Sequence, residues 1–204
     1  MKRAVIIQGP TTNYSTLIDK WGSDIIWSTW KGEESHYKDN DVVIFNEIPT
    51  EKGKRNLNLQ KISTLNGLKK AKELGYTRAI KTRSDLHPTN FNKFISLFKE
   101  GLNIPFFHDK GYYIDYIYEG DIDLLIKCFS FNNIWPSYPE QAITEQIDKV
   151  YTKENINYYG NFLNSKNDLY WIKRKLFLSS FPKIGPYVGT NLINTPEKPS
   201  IYTN

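Results

Sequence analysis

Three consecutive polar residues, Arg83-Ser84-Asp85, follow a strand predicted over residues 77–82. An acid at the end of a buried strand suits a divalent cation that bridges a diphosphate. Mg²⁺ and Mn²⁺ take one or two carboxylates and complete their shells with phosphate oxygens and water. Arg83 could make a bidentate contact with the leaving phosphate. The alternative is an Asp85 that caps a helix beside a surface arginine.

Two other predicted strands also end in polar residues. In Gln8-Gly9-Pro10-Thr11-Thr12 the glycine allows a ligand to approach the backbone, and the polar side chains could contact a base or a ribose. In the segment 28–33 the hydroxyl of Thr29 could meet a phosphate, and Trp30 could cover a base. Each segment could equally be an ordinary turn with packed side chains.

The longest predicted helix, residues 56–74, carries polar and small residues at three- and four-residue spacing. They are Asn56, Gln60, Ser63 or Thr64, and Gly67. A core helix gains nothing from such a stripe, and a glycine within a helix costs about 1 kcal/mol relative to alanine. A ligand lying against the stripe would explain it, and so would a solvent-exposed outer face.

Strand and helix signals alternate through the first hundred residues, which predicts a mostly parallel sheet flanked by helices. Ligands of such sheets bind at the carboxyl ends of the strands. Two strands separated by a short connection predict an antiparallel pair in the second half. The predicted strands are 4–8, 24–30, 41–45, 77–82, 104–108 and 113–118; the predicted helices are 13–21, 56–74, 88–99, 121–129, 140–151 and 168–178.

The composition excludes several classes of protein. The 204 residues suit one folded domain, 15% aromatic content excludes a disordered chain, and one cysteine excludes a disulfide framework. The three histidines lack the spacing of a metal site. No segment is long and apolar enough for a signal peptide or a membrane span, so we expect a cytoplasmic protein.

The formal net charge of +5 favours an anionic ligand. Basic residues cluster at 52–55, 69–72 and 173–175, and nucleic acid, nucleotide phosphates, an anionic membrane or plain solvation would each explain them. In the segment 170–178, aromatic residues adjoin Lys173-Arg174-Lys175. This combination is compatible with weak peripheral contact with lipid headgroups. It is also typical of an ordinary helix whose basic face is exposed to solvent.

The order of these motifs resembles the WavE-type proteins of lipopolysaccharide synthesis and related small glycosyltransferases of bacteria and large DNA viruses. Over the first ninety residues the likeness is carried by VIIQGP, STWKGE, NLNLQKISTLNGLKKAKELGY and KTRSDL. Further along, YYIDYIYEGDIDLLIKCF is similar to an aromatic strand followed by Gly-Asp and a helix, and PEQAITEQI to a helix that carries a glutamate.

The resemblance implies a single GT-A-like domain over residues 1–204, with a nucleotide-sugar half (1–100) and an acceptor half (101–204). It also implies a divalent metal, Mn²⁺ or Mg²⁺. Arg83-Ser84-Asp85 takes the place of the Asp-X-Asp motif, so Asp85 alone must hold the metal. The donor-binding residues expected on this basis are Gln8, Gly9, Pro10, Thr29, Trp30, Asn56, Gln60, Ser63, Arg83, Ser84 and Asp85.

An inverting transfer also needs a carboxylate to take the proton of the acceptor hydroxyl. The candidates are Glu140, which begins a helix in the acceptor half, and Asp115; Glu140 could instead complement the helix dipole. Arg83 would assist departure of the phosphate. The sequence Asp121-Ile122-Asp123 has the Asp-X-Asp spelling but follows Gly120 at a helix start, so we interpret it as a cap.

The expected function is hexosyl transfer from a nucleotide-sugar, with UDP-sugar favoured, to a glycan or glycolipid acceptor of a surface polysaccharide or glycoprotein. A sugar-phosphate nucleotidyltransferase is one alternative, although it would normally show a glycine-rich basic loop after the first strand, and Gln8-Gly9-Pro10 is not one. A non-catalytic module that binds nucleotides or nucleic acid is another, although the chain has no nucleic-acid-binding fingerprint. We expect no nucleic acid partner.

Overall fold

The computed structural model describes residues 2–10, 14–22, 24–88, 90–105, 111–132 and 138–159. These residues form one seven-stranded sheet with five α-helices. The strands are β1 (Arg3–Gln8), β2 (Ile25–Trp30), β3 (Val42–Asn46), β4 (Arg78–Arg83), β5 (Leu102–Ile104), β6 (Tyr118–Asp121) and β7 (Ile156–Tyr158). The helices are α1 (Tyr14–Trp21), α2 (Leu57–Glu73), α3 (Phe91–Ile95), α4 (Ile122–Phe129) and α5 (Pro139–Val150).

The strand order across the sheet is β3-β2-β1-β4-β6-β5-β7. The strands β1 to β4 are mutually parallel, whereas β6 runs antiparallel to its neighbours β4 and β5. The short strand β7 pairs in parallel with β5. This arrangement confirms the predicted fold class, an α/β fold with a mostly parallel sheet, flanking helices and an antiparallel pair in the second half.

The sheet separates two hydrophobic cores, and strand β1 contributes to both. Ala4 and Ile6 pack with α2, α4 and α5, whereas Val5 and Ile7 pack with α1 and α3. Side chains of a strand alternate between the two faces of a sheet. A strand covered on both faces is therefore apolar throughout, which explains the continuous hydrophobic runs in the sequence.

Helix α2 lies very close to β1, and Gly67 is the reason. A Cβ atom added at Gly67 would lie only 2.3 Å from Cγ2 of Ile6, a distance that real contacts do not reach. Ser63 and Thr64 on the same helix are fully buried. The second half of the predicted stripe therefore faces the sheet, so neither a ligand nor a solvent-exposed face explains it.

Two predicted elements differ from the structure, and one observed strand was not predicted. The strand predicted at 113–118 instead forms at Tyr118–Asp121, because the backbone N–H of Tyr113 donates to Oγ1 of Thr144 on α5 (2.8 Å). The helix predicted at 88–99 is confined to α3, after which the hydrogen bonds shift to the tighter three-residue spacing. Strand β7 was not predicted. Part of the strand 104–108 and all of the helix 168–178 lie outside the described residues.

The predicted cap at the start of α4 is confirmed. The Asp121 carboxylate accepts hydrogen bonds from the backbone N–H groups of Asp123 (2.9 Å) and Leu124 (3.1 Å). Both donors belong to the first turn, whose N–H groups have no partner within the helix. The Asp-X-Asp spelling at 121–123 therefore serves helix capping.

Within the described part of the chain, no helix has both the length and the apolar character needed to cross a bilayer.

Candidate functional site

A cleft of about 320 Å³ opens where β1, β2 and β4 end and where α2 begins. It lies at the carboxyl ends of parallel strands, the edge at which sheets of this kind bind ligands. The structure brings together here nine of the residues expected to bind a donor: Gln8, Gly9, Pro10, Trp30, Asn56, Gln60, Arg83, Ser84 and Asp85. Arg55 and Leu59 also line the cleft and were not singled out from the sequence.

Ser84 joins the ends of β1 and β4. Its backbone N–H donates to the carbonyl of Gln8 (3.0 Å), and its hydroxyl donates to the carbonyl of Pro10 (2.5 Å). Gly9 between them has a φ of 104°, and a Cβ atom there would lie 3.3 Å from the Ser84 hydroxyl. Glycine is required here because the backbone conformation disfavours side chains and because the two strand ends approach closely.

Two of the expected donor contacts lie behind the cleft wall. Thr29 is fully buried and its hydroxyl donates to Glu33. Ser63 is also fully buried, and its hydroxyl donates to Oε1 of Gln8 at 2.7 Å. Ser63 therefore holds the Gln8 amide in place, and its contact with a ligand is indirect.

A buried polar chain supports this wall. Asn46 at the end of β3 donates to Oγ of Ser28 (3.0 Å) and to the carbonyl of Thr29 (2.7 Å). Ser28 in turn donates to the carbonyl of Ser63 (2.6 Å), and Asn66 donates to Oδ1 of Asn46 (2.8 Å). Sequence reasoning missed Asn46. The signal was available, since it is a polar residue at the end of an apolar strand, like those at the other three strand ends.

Gln60, which lines the cleft, carries a buried polar atom, Oε1, that has no hydrogen-bond partner among the described residues. A buried polar oxygen without a partner costs about 1–3 kcal/mol, so such atoms mark positions where a ligand or water supplies the missing donor. Trp30, which is 8% exposed, and Leu59 supply the apolar surface of the same cleft.

Arg83 and Asp85 form a bidentate ion pair inside the cleft. Nε of Arg83 donates to Oδ1 of Asp85 (2.9 Å), and Nη2 donates to Oδ2 (2.7 Å). Burial acts to lower the pKa of Arg83, but the negative charges of Asp85 and Asp115 outweigh it and hold that pKa above its usual value. The guanidinium is therefore a permanent charge in the wall of the cleft.

This pairing bears on the metal expected at Asp85. Among the cleft-lining residues that the structure describes, Asp85 is the single carboxylate, and both of its oxygens accept from Arg83. The described residues also contain no group of three or more His, Cys, Asp or Glu side chains placed to hold a metal ion. A carboxylate already neutralised by a guanidinium does not fit an Mg²⁺ or Mn²⁺ ligand.

A strained turn places Arg55 at the cleft. Arg55 (φ 49°) and Asn56 (φ 64°) are consecutive non-glycine residues in the left-handed region, immediately before α2. Such conformations cost about 1–3 kcal/mol each and persist only where the surroundings enforce them. The Tyr138 ring lies beside this turn, with Lys54 Nζ 3.8 Å and the Arg55 guanidinium carbon 4.8 Å from its centroid.

The two candidate bases, Glu140 and Asp115, are not among the residues that line the cleft. Glu140 is 8% exposed at the start of α5, and Asp115 is 2% exposed. Burial and the nearby charge of Asp115 raise the pKa of the Glu140 carboxyl to about 7, although Arg55 and Arg83 act to lower it. The two carboxyl groups thus lie within electrostatic range of the two cleft arginines.

A buried lysine adjoins these acids. Lys81 on β4 is fully buried, and its ammonium donates to the carbonyl of Asp115 at 2.5 Å. Burial lowers the pKa of Lys81 to about 8, against the raising effect of Asp115, Asp85 and Glu140. The sequence did not single out Lys81, because the alternation of side chains along a strand does not by itself show which polar residue is buried.

The sequence matches no protein-family model and no curated protein. The solved structures that are similar at the level of the chain trace include the following three. A protein provisionally named nucleotide-diphospho-sugar transferase from Desulfovibrio desulfuricans G20 is 11% identical, with 76% of this chain and 78% of that chain covered and a TM-score of 0.48. A 4-diphosphocytidyl-2C-methyl-D-erythritol synthase from Anaerococcus prevotii DSM 20548 is 13% identical, with 86% and 98% covered and a TM-score of 0.48.

The third structure is HddC from Yersinia pseudotuberculosis complexed with GMP-PN. It is 16% identical, with 65% of this chain and 81% of that chain covered and a TM-score of 0.39. The fold described above rests on the strand order and helices of this chain itself.

Proposed function

We propose that this protein is a glycosyltransferase that binds a nucleotide-sugar in the cleft and transfers a hexosyl group to a glycan or glycolipid acceptor. One observation carries the proposal. The cleft combines two guanidinium groups, an indole, amide side chains and an unpartnered buried oxygen at the carboxyl edge of a parallel sheet. That combination offers cations for phosphates, an aromatic face for a base, and polar atoms for a base or ribose.

The dimensions and chemistry suit one nucleotide-sized ligand. A volume of about 320 Å³ falls at the lower end of the range of small-molecule sites. Trp30 and Leu59 offer apolar contact to a base, and Oε1 of Gln60 can accept a hydrogen bond from a base N–H. The uracil, thymine and guanine rings each carry such a ring N–H, and among these we favour a UDP-sugar.

The transfer itself requires four linked events. The oxygen of an acceptor hydroxyl bonds to the anomeric carbon, and the bond from that carbon to the phosphate oxygen breaks. The departing diphosphate keeps the bonding electron pair, and Arg83 and Arg55 balance its charge. In an inverting transfer Glu140 takes the acceptor proton, since a carboxyl with a pKa of about 7 is well matched to proton transfer at neutral pH.

A ligand screen followed by a transfer assay tests the proposal. We expect UDP-sugars, among UDP-, GDP-, CMP- and dTDP-sugars, to raise the melting temperature of the protein, and UDP to be released when an acceptor is present. Arg83→Gln should weaken this binding, whereas Lys70→Gln, which removes one exposed charge on α2, should leave it unchanged. No shift with any of the four sugars would contradict the proposal.

The same experiment separates the alternatives. A sugar-phosphate nucleotidyltransferase would release pyrophosphate from an NTP and a sugar phosphate, and would show no UDP release from UDP-glucose. A nucleic-acid-binding module would be retained on DNA in a salt-dependent manner. Either result, in the absence of sugar transfer, would replace the proposed function.

A further inference from the structure

The Arg83–Asp85 pair presents its positive side to the cleft. The Arg83 side chain is 27% exposed, whereas that of Asp85 is 9% exposed, although both line the cavity. A guanidinium has five N–H donors. Asp85 takes two of them, through Nε and Nη2, so three remain for other partners. The carboxylate thus lies on the inner side of the pair and orients the fork of Arg83 toward the cavity.

Arg55 adds a second cation to the cleft from the turn that precedes α2. Its backbone is held in a left-handed conformation, and its guanidinium lies near the Tyr138 ring at the start of α5. Of the charged residues that line the cleft in the described part of the chain, two are arginines and one is Asp85. The cleft therefore has a net positive charge before any ion binds, which suits an anionic ligand directly.

A divalent cation would have to compete with this arrangement. It would need the oxygens that Asp85 gives to Arg83, and it would add charge to a wall that is already positive. Guanidinium groups bind phosphate oxygens in the same bidentate geometry that they use with carboxylates. The two arginines can thus balance a diphosphate without help from an ion.

We propose that Arg83 and Arg55 bind the diphosphate of the donor in place of a divalent cation, with Asp85 as the residue that positions Arg83. This inference rests on the proposed function and concerns the same cleft. It assigns Asp85 the opposite role from that of a metal ligand. The two roles predict opposite effects of the same substitution.

The test is calorimetric binding of UDP and of inorganic pyrophosphate to the full chain, in EDTA and in Mn²⁺. For the wild type we expect UDP affinities that agree within about threefold in the two buffers. Arg83→Lys loses the planar fork and should weaken binding of both probes about tenfold or more. Asp85→Asn keeps one acceptor oxygen that can still orient Arg83 and removes the negative charge beside the bound phosphates, so it should bind both probes at least as tightly as the wild type.

The outcomes separate the inference from the function on which it rests. Wild-type binding of UDP only in Mn²⁺, or loss of Mn²⁺-dependent binding in Asp85→Asn, would overturn the inference alone. No binding of UDP in either buffer would overturn the proposed function and the inference with it. If Asp85→Asn does not fold, as judged by its thermal transition, the inference is still tested by wild-type binding in EDTA against Mn²⁺ and by Arg83→Lys. Lys70→Gln serves as the control for the loss of one surface charge.

Discussion

Replacement of Glu140 by Gln should make the protein more stable and less active. Glu140 is 8% exposed, and burial together with the charge of Asp115 raises its pKa from 4.5 to about 7. A tenfold change in proton affinity is worth about 1.4 kcal/mol. The ionised carboxylate at Glu140 therefore costs the folded state on the order of 3 kcal/mol.

The sign of the effect follows from which state binds the proton more tightly. The folded protein keeps the Glu140 proton up to about pH 7, whereas the unfolded chain loses it near 4.5. Stability therefore falls as the pH rises through this window, and the lost free energy is not recovered above it. Glutamine never ionises, so Glu140→Gln should match the wild type in acid and exceed it by up to about 3 kcal/mol at about pH 8.

Urea unfolding of both proteins at several pH values between about 5 and 8 measures this difference. Glu145→Gln is the matched control, because Glu145 is exposed on the same helix. In the transfer assay Glu140→Gln should lose about 10²–10⁴-fold in kcat if Glu140 is the base. Wild-type activity should rise with pH through about 7, as the carboxyl ionises.

Two results would refute this reasoning. A Glu140→Gln variant no more stable than the wild type at about pH 8 would show that the carboxylate bears no burial cost. A stabilised variant with wild-type kcat would show that Glu140 is buried at a cost but takes no proton, which would leave Asp115 as the remaining candidate base.

Three further substitutions test the cleft and its support. Gly67→Ala should destabilise the protein by about 1–3 kcal/mol in urea unfolding, because its methyl group would meet Ile6; an unchanged midpoint would contradict the close packing. Gln60→Leu should weaken UDP-sugar binding in calorimetry while stabilising the fold slightly, since it removes a buried oxygen without a partner; unchanged affinity would remove Gln60 from the site. Arg55→Gly should weaken UDP binding yet stay within about 1 kcal/mol of wild-type stability, because glycine relieves the left-handed backbone and offsets the lost contact with Tyr138; a large loss of stability would refute the strain.

The sequence alone predicted the architecture and the composition of the cleft well. Strands covered on both faces leave continuous apolar runs, so β1 to β4 and α2 were placed within a residue or two. Parallel strands gather their carboxyl ends at one edge of the sheet. Polar residues that follow separate strands, such as Gln8, Trp30 and Ser84, could therefore be assigned to one site before their distances were known.

Local sequence patterns did not predict the backbone conformation where contacts between distant segments determine it. The turn at Arg55 begins at Gly53, but nothing in the sequence shows that Arg55 itself has a left-handed backbone; Tyr138, more than eighty residues later, lies against it. The segment before β6 alternates like a strand, yet the backbone N–H of Tyr113 bonds to Thr144 and pairing begins only at Tyr118. Backbone groups accept whichever partner the tertiary structure brings within reach.

The roles of the charged residues were also decided by tertiary structure. Residue type and order predicted that Arg83 and Asp85 bind phosphate or a metal, but their spacing did not encode the direction of each side chain. The fold turns the Asp85 carboxylate inward against Arg83 and buries Glu140 near Asp115. Electrostatic interactions depend on distance and burial. The sequence therefore determined most of the groups that line the cleft, and only the packed structure determined how the charged groups in and around the cleft are paired and buried.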